Sequence, residues 1–202
     1  MLDSHFALVG GACAFVGDSV YAVETWRGRA HPNLVSWSLW GAAPLIAFGG
    51  ELAEGVQLQS ALTFAAGFVP LVVVVIGLIK RTSVWKISRL DIVCGFLAAL
   101  ALVGWLVTRV GNVAIIFALL SDGLAAIPTL LKSYTDPDTE SSWAYVGTGI
   151  GAVITLFTIQ FWSFAQTAFP IYLVVVNLML STLILRPRAK GLPGQSSARS
   201  GL

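Results

Sequence analysis

Long apolar runs separated by short polar stretches make up most of this chain, from residue 6 to residue 185. A hydrocarbon layer about 30 Å thick needs roughly 17 to 25 mostly apolar residues per helix. Seven runs come close to that length, so the pattern predicts seven transmembrane helices. They cover residues 6–23, 34–50, 56–79, 92–107, 113–131, 143–164 and 168–185.

The positive charges divide unevenly between the two sides that seven helices would create. Eleven of the twelve Lys and Arg residues fall on the side that holds the C-terminus, and Arg109 alone falls on the other. Cytoplasmic loops collect Lys and Arg. The distribution therefore predicts an N-terminus outside and a C-terminus in the cytoplasm, in the plasma (cytoplasmic) membrane.

The composition narrows the class of protein further. Hydrophobic residues make up 56% of the chain and charged residues 11%, whereas soluble domains carry about 25% charged residues. The net charge of +2 and the absence of a basic stripe argue against nucleic-acid binding. Residues 187–202, rich in Pro, Gly and Ser, are predicted to form a disordered cytoplasmic tail.

Spacings near the first and fifth runs indicate an internal repeat. Asp18 and Thr25 have the same spacing in the sequence as Asp122 and Thr129. The pattern Ser-Trp-x-x-x-Gly occurs twice, once ending at Gly41 and once ending at Gly147. Phe68 to Pro70 is echoed at Phe169 and Pro170. Segments one to three thus resemble segments five to seven.

This repeat predicts an all-α membrane protein with two parallel three-helix repeats joined by a linker helix, a 3+1+3 arrangement. The first repeat would cover residues 1–79, the linker helix and its flanking loops 80–110, and the second repeat 111–186. The unpaired fourth helix returns the chain to its starting side, so that the copies run parallel rather than inverted.

The loops after the first helix of each repeat carry a family resemblance. TWRGRAHPNLVSWSLWG at residues 25–41 and IPTLLKSYTDPDTESSWAYVG at residues 127–147 resemble the PQ-loop family, which includes SWEET sugar transporters, SemiSWEETs and cystinosin. At the place of the Pro-Gln pair that names the family, this chain has Pro128-Thr129 in the second copy and Glu24-Thr25 in the first, so neither copy contains the pair. The resemblance implies alternating access of a sugar, an amino acid or a similar small polar solute, with proton coupling as in cystinosin-like members.

Asp18 and Asp122 lie well inside apolar segments at matching places in the two repeats. A carboxylate in hydrocarbon is costly and usually faces a cavity or a partner. We interpret the pair as proton-coupling or gating residues, with Asp122 nearer the middle of the membrane. The alternative is that each braces a helix against a cation such as Arg27, Arg29 or Lys132.

Four residues are candidates for the substrate site on the strength of the resemblance. In SWEET-like proteins, Asn residues on the third and seventh helices contact the substrate, which points to Asn177 and to its counterpart Gly77. Pocket tryptophans lie on the second and sixth helices, which points to Trp37 and Trp143. The alternatives are an interhelical hydrogen bond for Asn177 and an interfacial aromatic belt for the tryptophans.

Prolines inside the apolar segments bend helices and suit hinges. Pro44 and Pro128 are therefore candidate gating residues, with ordinary kinks as the alternative. No His/Cys spacing typical of a metal site and no Gly-rich phosphate loop occurs in the sequence. We accordingly expect no enzyme activity, no metal and no cofactor.

The sequence thus favours a small-solute transporter embedded in the lipid bilayer. A monomer would be sufficient for this function, and a homo-oligomer would also be compatible with it. The competing hypothesis is a non-transporting receptor or sorting protein, because one fold supports several functions.

Overall fold

The computed structural model describes residues 2–81 and 89–186. Within them the chain forms seven α-helices and one short 3-10 helix, Pro137–Thr139, and no strand. The α-helices are α1 Phe6–Trp26, α2 Leu34–Ala53, α3 Ser60–Lys80, α4 Arg89–Thr108, α5 Gly111–Thr135, α6 Ser142–Thr158 and α7 Phe164–Leu185.

The helices fit a membrane protein. Four of them, α1, α3, α5 and α7, are long and apolar enough to cross a bilayer, and α6 is a shorter apolar helix. Large apolar side chains also cover their outer surfaces, with Ile79 of α3 63% and Leu131 of α5 62% exposed. The prediction of an all-α membrane protein is confirmed at this level.

Each predicted run coincides with one helix, but several boundaries differ. The run 143–164 breaks after Thr158, and α7 begins at Phe164 because the Ser163 side chain accepts a hydrogen bond from the backbone N–H of Gln166. α5 continues past residue 131 to Thr135. The predicted tail 187–202 and most of the basic loop before α4 lie outside the described residues.

We describe six of the helices as two groups of three in chain order, α1 to α3 and α5 to α7. In the first group, α3 contacts both α1 and α2, and in the second, α7 contacts both α5 and α6. The two groups meet most extensively where α1 packs on α6 and α2 on α5. α4 packs on α5 and, less extensively, on α2.

Glycines allow the two groups to approach closely. A Cβ placed on Gly147 of α6 would lie 2.8 Å from Gly17 Cα of α1, and one on Gly50 of α2 would lie 2.8 Å from the Gly111 carbonyl oxygen of α5. Real Cβ contacts are longer than this. Small residues at these positions therefore bring the helix backbones together, as in other membrane bundles.

The helix ends gather at two faces, which we name after a buried glutamate in each. At the Glu140 end, α1 and α5 finish and α2 and α6 begin. Lys80 Nζ lies 4.0 Å from the centroid of the Trp26 ring, which places the end of α3 there as well. The opposite Glu51 end holds the end of α2 and the start of α5.

Candidate functional site

A small cavity lies between the two groups, and we call it the central cavity. Every helix except α4 contributes to its described lining. The lining residues are Asp18, Trp37, Trp40, Pro44, Ala66, Pro70, Asp122, Ala144, Tyr145, Thr148, Leu173, Val176, Asn177 and Leu180. Its volume of about 50 Å³ has room for a few water molecules. Pockets that hold drug-sized ligands measure about 300 to 1,000 Å³, so a solute would require the cavity to widen.

Two carboxylates, one from each group, face the central cavity. Asp18 in α1 is 5% exposed and Asp122 in α5 is 3% exposed. The Tyr172 hydroxyl donates to Asp122 Oδ2 at 2.5 Å. Thr148 Oγ1 lies 3.5 Å from Asp18 Oδ1, at the outer limit of a hydrogen bond. The protein thus supplies neutral donors to both carboxylates.

The expected alternative partners of these aspartates lie elsewhere. Arg27 and Arg29 are exposed, and Lys132 pairs with Glu140. Among the described residues, no salt bridge reaches Asp18 or Asp122. Within the described residues, the two carboxylates therefore do not brace their helices through ion pairs.

Aromatic side chains line the cavity toward the Glu140 end. The ring centroids of Trp37 and Trp40 are 5.7 Å apart, and those of Trp40 and Tyr145 are 6.3 Å apart. Trp40 Nε1 donates to the Asp122 carbonyl oxygen at 3.4 Å. Trp37 Nε1 is buried with no hydrogen-bond partner among the described residues. The aromatic wall therefore runs from the backbone of α5 to α6.

Glu140, in the loop before α6, lies next to the cavity at this end, where it contacts the lining residue Tyr145. Its Oε2 accepts hydrogen bonds from the hydroxyls of Tyr21 at 2.9 Å and Tyr145 at 3.0 Å. Its Oε1 pairs with Lys132 Nζ at 2.8 Å, and that ammonium also donates to the His31 carbonyl oxygen at 2.5 Å. The Glu140 side chain is 1% exposed. One buried carboxylate thus joins α1, α5, α6 and the loop before α2.

Toward the Glu51 end the cavity is closed by apolar packing. The cluster there consists mainly of alanines packed around Leu62 and Phe169, both fully buried. Ala66 and Leu173 belong to both this cluster and the cavity lining. The cavity therefore lies between a polar and aromatic network on one side and a cluster of small residues on the other.

Five of the eight residues singled out from the sequence line the cavity: Asp18, Asp122, Asn177, Trp37 and Pro44. Asn177 is 6% exposed and donates through Nδ2 to the Leu173 carbonyl oxygen within its own helix at 2.8 Å. The hydrogen bond shown for this amide is thus intrahelical.

The other three lie elsewhere. Trp143 is 59% exposed on the bundle surface, in keeping with its alternative interpretation as a belt residue. Gly77 is buried in α3 and Pro128 is half-buried in α5, and the described lining includes neither of them.

Sequence reasoning missed the network around Glu140. Glu140 lies in a polar loop beside Asp136 and Asp138, and nothing in the sequence distinguishes it from a solvated acidic residue. Tyr21 and Tyr145 each lie three residues from a cavity residue, Asp18 and Thr148 respectively. That helical spacing was the available signal, because residues three apart share a face.

Comparisons with known proteins add no assignment. No protein-family model, curated protein or solved structure matches this chain. Within the described residues, no group of three or more His, Cys, Asp or Glu side chains could hold a metal ion.

Proposed function

We propose that this protein is a small-solute membrane transporter that works by alternating access around the central cavity. The observation that carries the proposal is a cavity between two three-helix groups, with one buried aspartate from each group in its lining. Intramembrane carboxylates mark solute or ion pathways in many membrane proteins. The cavity is too small for a sugar or an amino acid as it stands, which fits a closed state of a protein that rocks open.

The pattern of helix contacts supports the 3+1+3 arrangement of two parallel repeats. If the first group is matched to the second, α1 corresponds to α5, α2 to α6 and α3 to α7. The contact of α1 with α6 then corresponds to the contact of α5 with α2. The contacts of α3 with α1 and α2 correspond to those of α7 with α5 and α6. Each member of these pairs occurs. The resemblance of the loops at residues 25–41 and 127–147 to PQ-loop proteins points the same way.

We further propose that the Glu140 end faces the cytoplasm of a cell with this protein in its plasma membrane. The loops and helix ends there carry Arg27, Arg29, Lys80 and Lys132, whereas the Glu51 end carries Arg109. In a background without Cys13 and Cys94, an impermeant thiol reagent applied to whole cells should label Gln57→Cys and spare Asp136→Cys. Both positions are exposed. The reverse pattern would contradict the orientation.

Uptake into proteoliposomes tests transport directly. We expect counterflow of at least one solute from a panel of sugars, amino acids and vitamins. We also expect thermal stabilisation by that solute, because a ligand of the folded state alone raises its stability. If transport is proton-coupled, Asp122→Asn should abolish accumulation driven by a pH gradient. Unchanged accumulation in Asp122→Asn would exclude this carboxylate as the proton carrier.

The second candidate is a non-transporting receptor or sorting protein on the same fold. It would need a charged outward-facing surface to read its cargo, and the Glu51 end offers Glu54 and Arg109 as exposed charges. Binding of a protein or peptide at that end, with no solute counterflow in proteoliposomes, would favour the receptor.

A further inference from the structure

We propose that the central cavity recognises an organic cation, a solute with a net positive charge carried by an ammonium group, through Asp18 and Asp122. This inference rests on the proposed function and adds the charge class of the solute.

The first argument is the charge balance of the cavity. Two carboxylates line it, and none of its described lining residues is Lys, Arg or His. The hydrogen-bond donors that reach the two side chains, Thr148 and Tyr172, are neutral hydroxyls. Charged side chains at membrane depth normally pair with an opposite charge or face water. A bound cation would supply the opposite charge that the described protein does not.

The second argument is the aromatic wall beside the carboxylates. Trp37, Trp40 and Tyr145 line the same cavity and contact one another edge to face. Aromatic faces attract ammonium groups within about 6 Å, and combining them with carboxylates is typical of sites for amines and quaternary ammonium ions.

The third argument separates an organic cation from a metal ion. Divalent cations prefer six or more oxygen ligands for Ca²⁺ or an octahedral shell for Mg²⁺. The described lining offers two carboxylates, one amide and the hydroxyls of Thr148 and Tyr145, the latter already bonded to Glu140, among tryptophan, proline and aliphatic side chains. Such walls suit the apolar carbons around an ammonium better than a hydrated metal ion.

Matched ligand pairs test the inference on the unaltered protein. Purified protein in nanodiscs would be titrated with choline and its uncharged isostere 3,3-dimethylbutan-1-ol, with lysine and norleucine, and with sodium chloride. We expect thermal stabilisation by at least one organic cation and none by its neutral partner or by sodium. Equal stabilisation by both members of a pair, stabilisation by neutral solutes alone, or no response to either cation would overturn the inference.

Variants then locate the binding. Asp18→Asn and Asp122→Asn should each weaken cation binding by at least about tenfold, because each removes a charged acceptor. The control Asp136→Asn alters an exposed loop carboxylate and should bind as the parent does. Parent-like affinity in both cavity variants would also overturn the inference. If a variant does not fold, the ligand pairs on the parent still decide it.

The failure of this inference is distinguishable from failure of the proposed function. Counterflow of sugars or neutral amino acids without cation binding would support the transport function and contradict the cation specificity. Specific cation binding without counterflow of any solute would support the cation site and contradict the transport function.

Discussion

The two ends of the helix bundle each bury a glutamate, but they surround it differently. Glu140 uses both oxygens and meets three side-chain donors, two tyrosine hydroxyls and the Lys132 ammonium. Glu51 is 2% exposed and accepts one hydrogen bond, from Thr63 Oγ1 at 2.9 Å, while its Oε2 is buried with no partner among the described residues.

The contacts between the two groups differ in the same way. At the Glu140 end a charged network joins α1 of the first group to α5 and α6 of the second. At the Glu51 end, Glu51 joins α2 to α3 of its own group. The groups meet there through the backbones of Gly50 and Gly111, and through hydrogen bonds from the Asn112 N–H to Glu54 Oε1 and from Gln59 Nε2 to the Thr158 carbonyl oxygen. Water can replace hydrogen bonds at small net cost, but nothing replaces close backbone packing. Close backbone packing also occurs nearer the Glu140 end, between Gly17 of α1 and Gly147 of α6, so the two ends differ mainly in the partners of their buried glutamates.

The largest effect should come from forcing the Glu51 end apart. In Gly50→Leu the new side chain would begin 2.8 Å from the Gly111 carbonyl oxygen and 3.2 Å from Ala114 Cβ, both on α5. Backbone atoms cannot move aside as side chains do. We therefore expect the free energy of unfolding to fall by more than about 3 kcal/mol, or no monodisperse protein to be obtained. Size-exclusion profiles and thermal unfolding in detergent would measure this.

The matched control is Gly95→Leu in α4, where a Cβ meets no described atom within 4 Å. It should give parent-like yield and melting temperature. Equal tolerance of the two substitutions would mean that backbone packing does not hold the Glu51 end together.

Breaking the network at the Glu140 end should have the next largest effect. Glu140→Ala leaves two buried tyrosine hydroxyls and Lys132 without their acceptor. We expect the free energy of unfolding to fall by about 3 kcal/mol. This is the low end for a broken buried ion pair, because the Lys132 side chain is 27% exposed and water can hydrate its ammonium group. Thermal unfolding would measure the loss, with Asp136→Ala in the exposed loop as control. A loss as small as that of the control would show that the network contributes little.

The sequence predicted the positions of the helices because hydropathy reports burial in lipid directly. It also singled out Asp18 and Asp122 as a pair, because Thr25 and Thr129 follow them at the same spacing. Both line one cavity.

The same reasoning did not predict the difference between Trp37, which lines the cavity, and Trp143, which lies on the surface, with exposures of 2% and 59%. Trp37 packs on Tyr21 with ring centroids 4.3 Å apart. At the matching place in α5 stands Ala125, which offers no aromatic ring. Burial depends on such neighbours across helices, and a repeat in the sequence does not reveal them.

The smallest effect, and one of opposite sign, is expected at Glu51. Glu51→Gln keeps an oxygen that can accept from Thr63 and replaces a carboxyl group that has no cation beside it among the described residues. A buried charge without a partner costs free energy, whereas an amide of the same shape costs less. We therefore expect stability equal to the parent or higher by up to about 1 kcal/mol, measured by thermal unfolding at neutral pH. Glu140→Gln is the matched control and should lose stability, because its amide cannot pair with Lys132 as a carboxylate does. A loss at Glu51 as large as that at Glu140 would mean that Glu51 Oε2 has a cationic partner, and the contrast between the two ends would then fail.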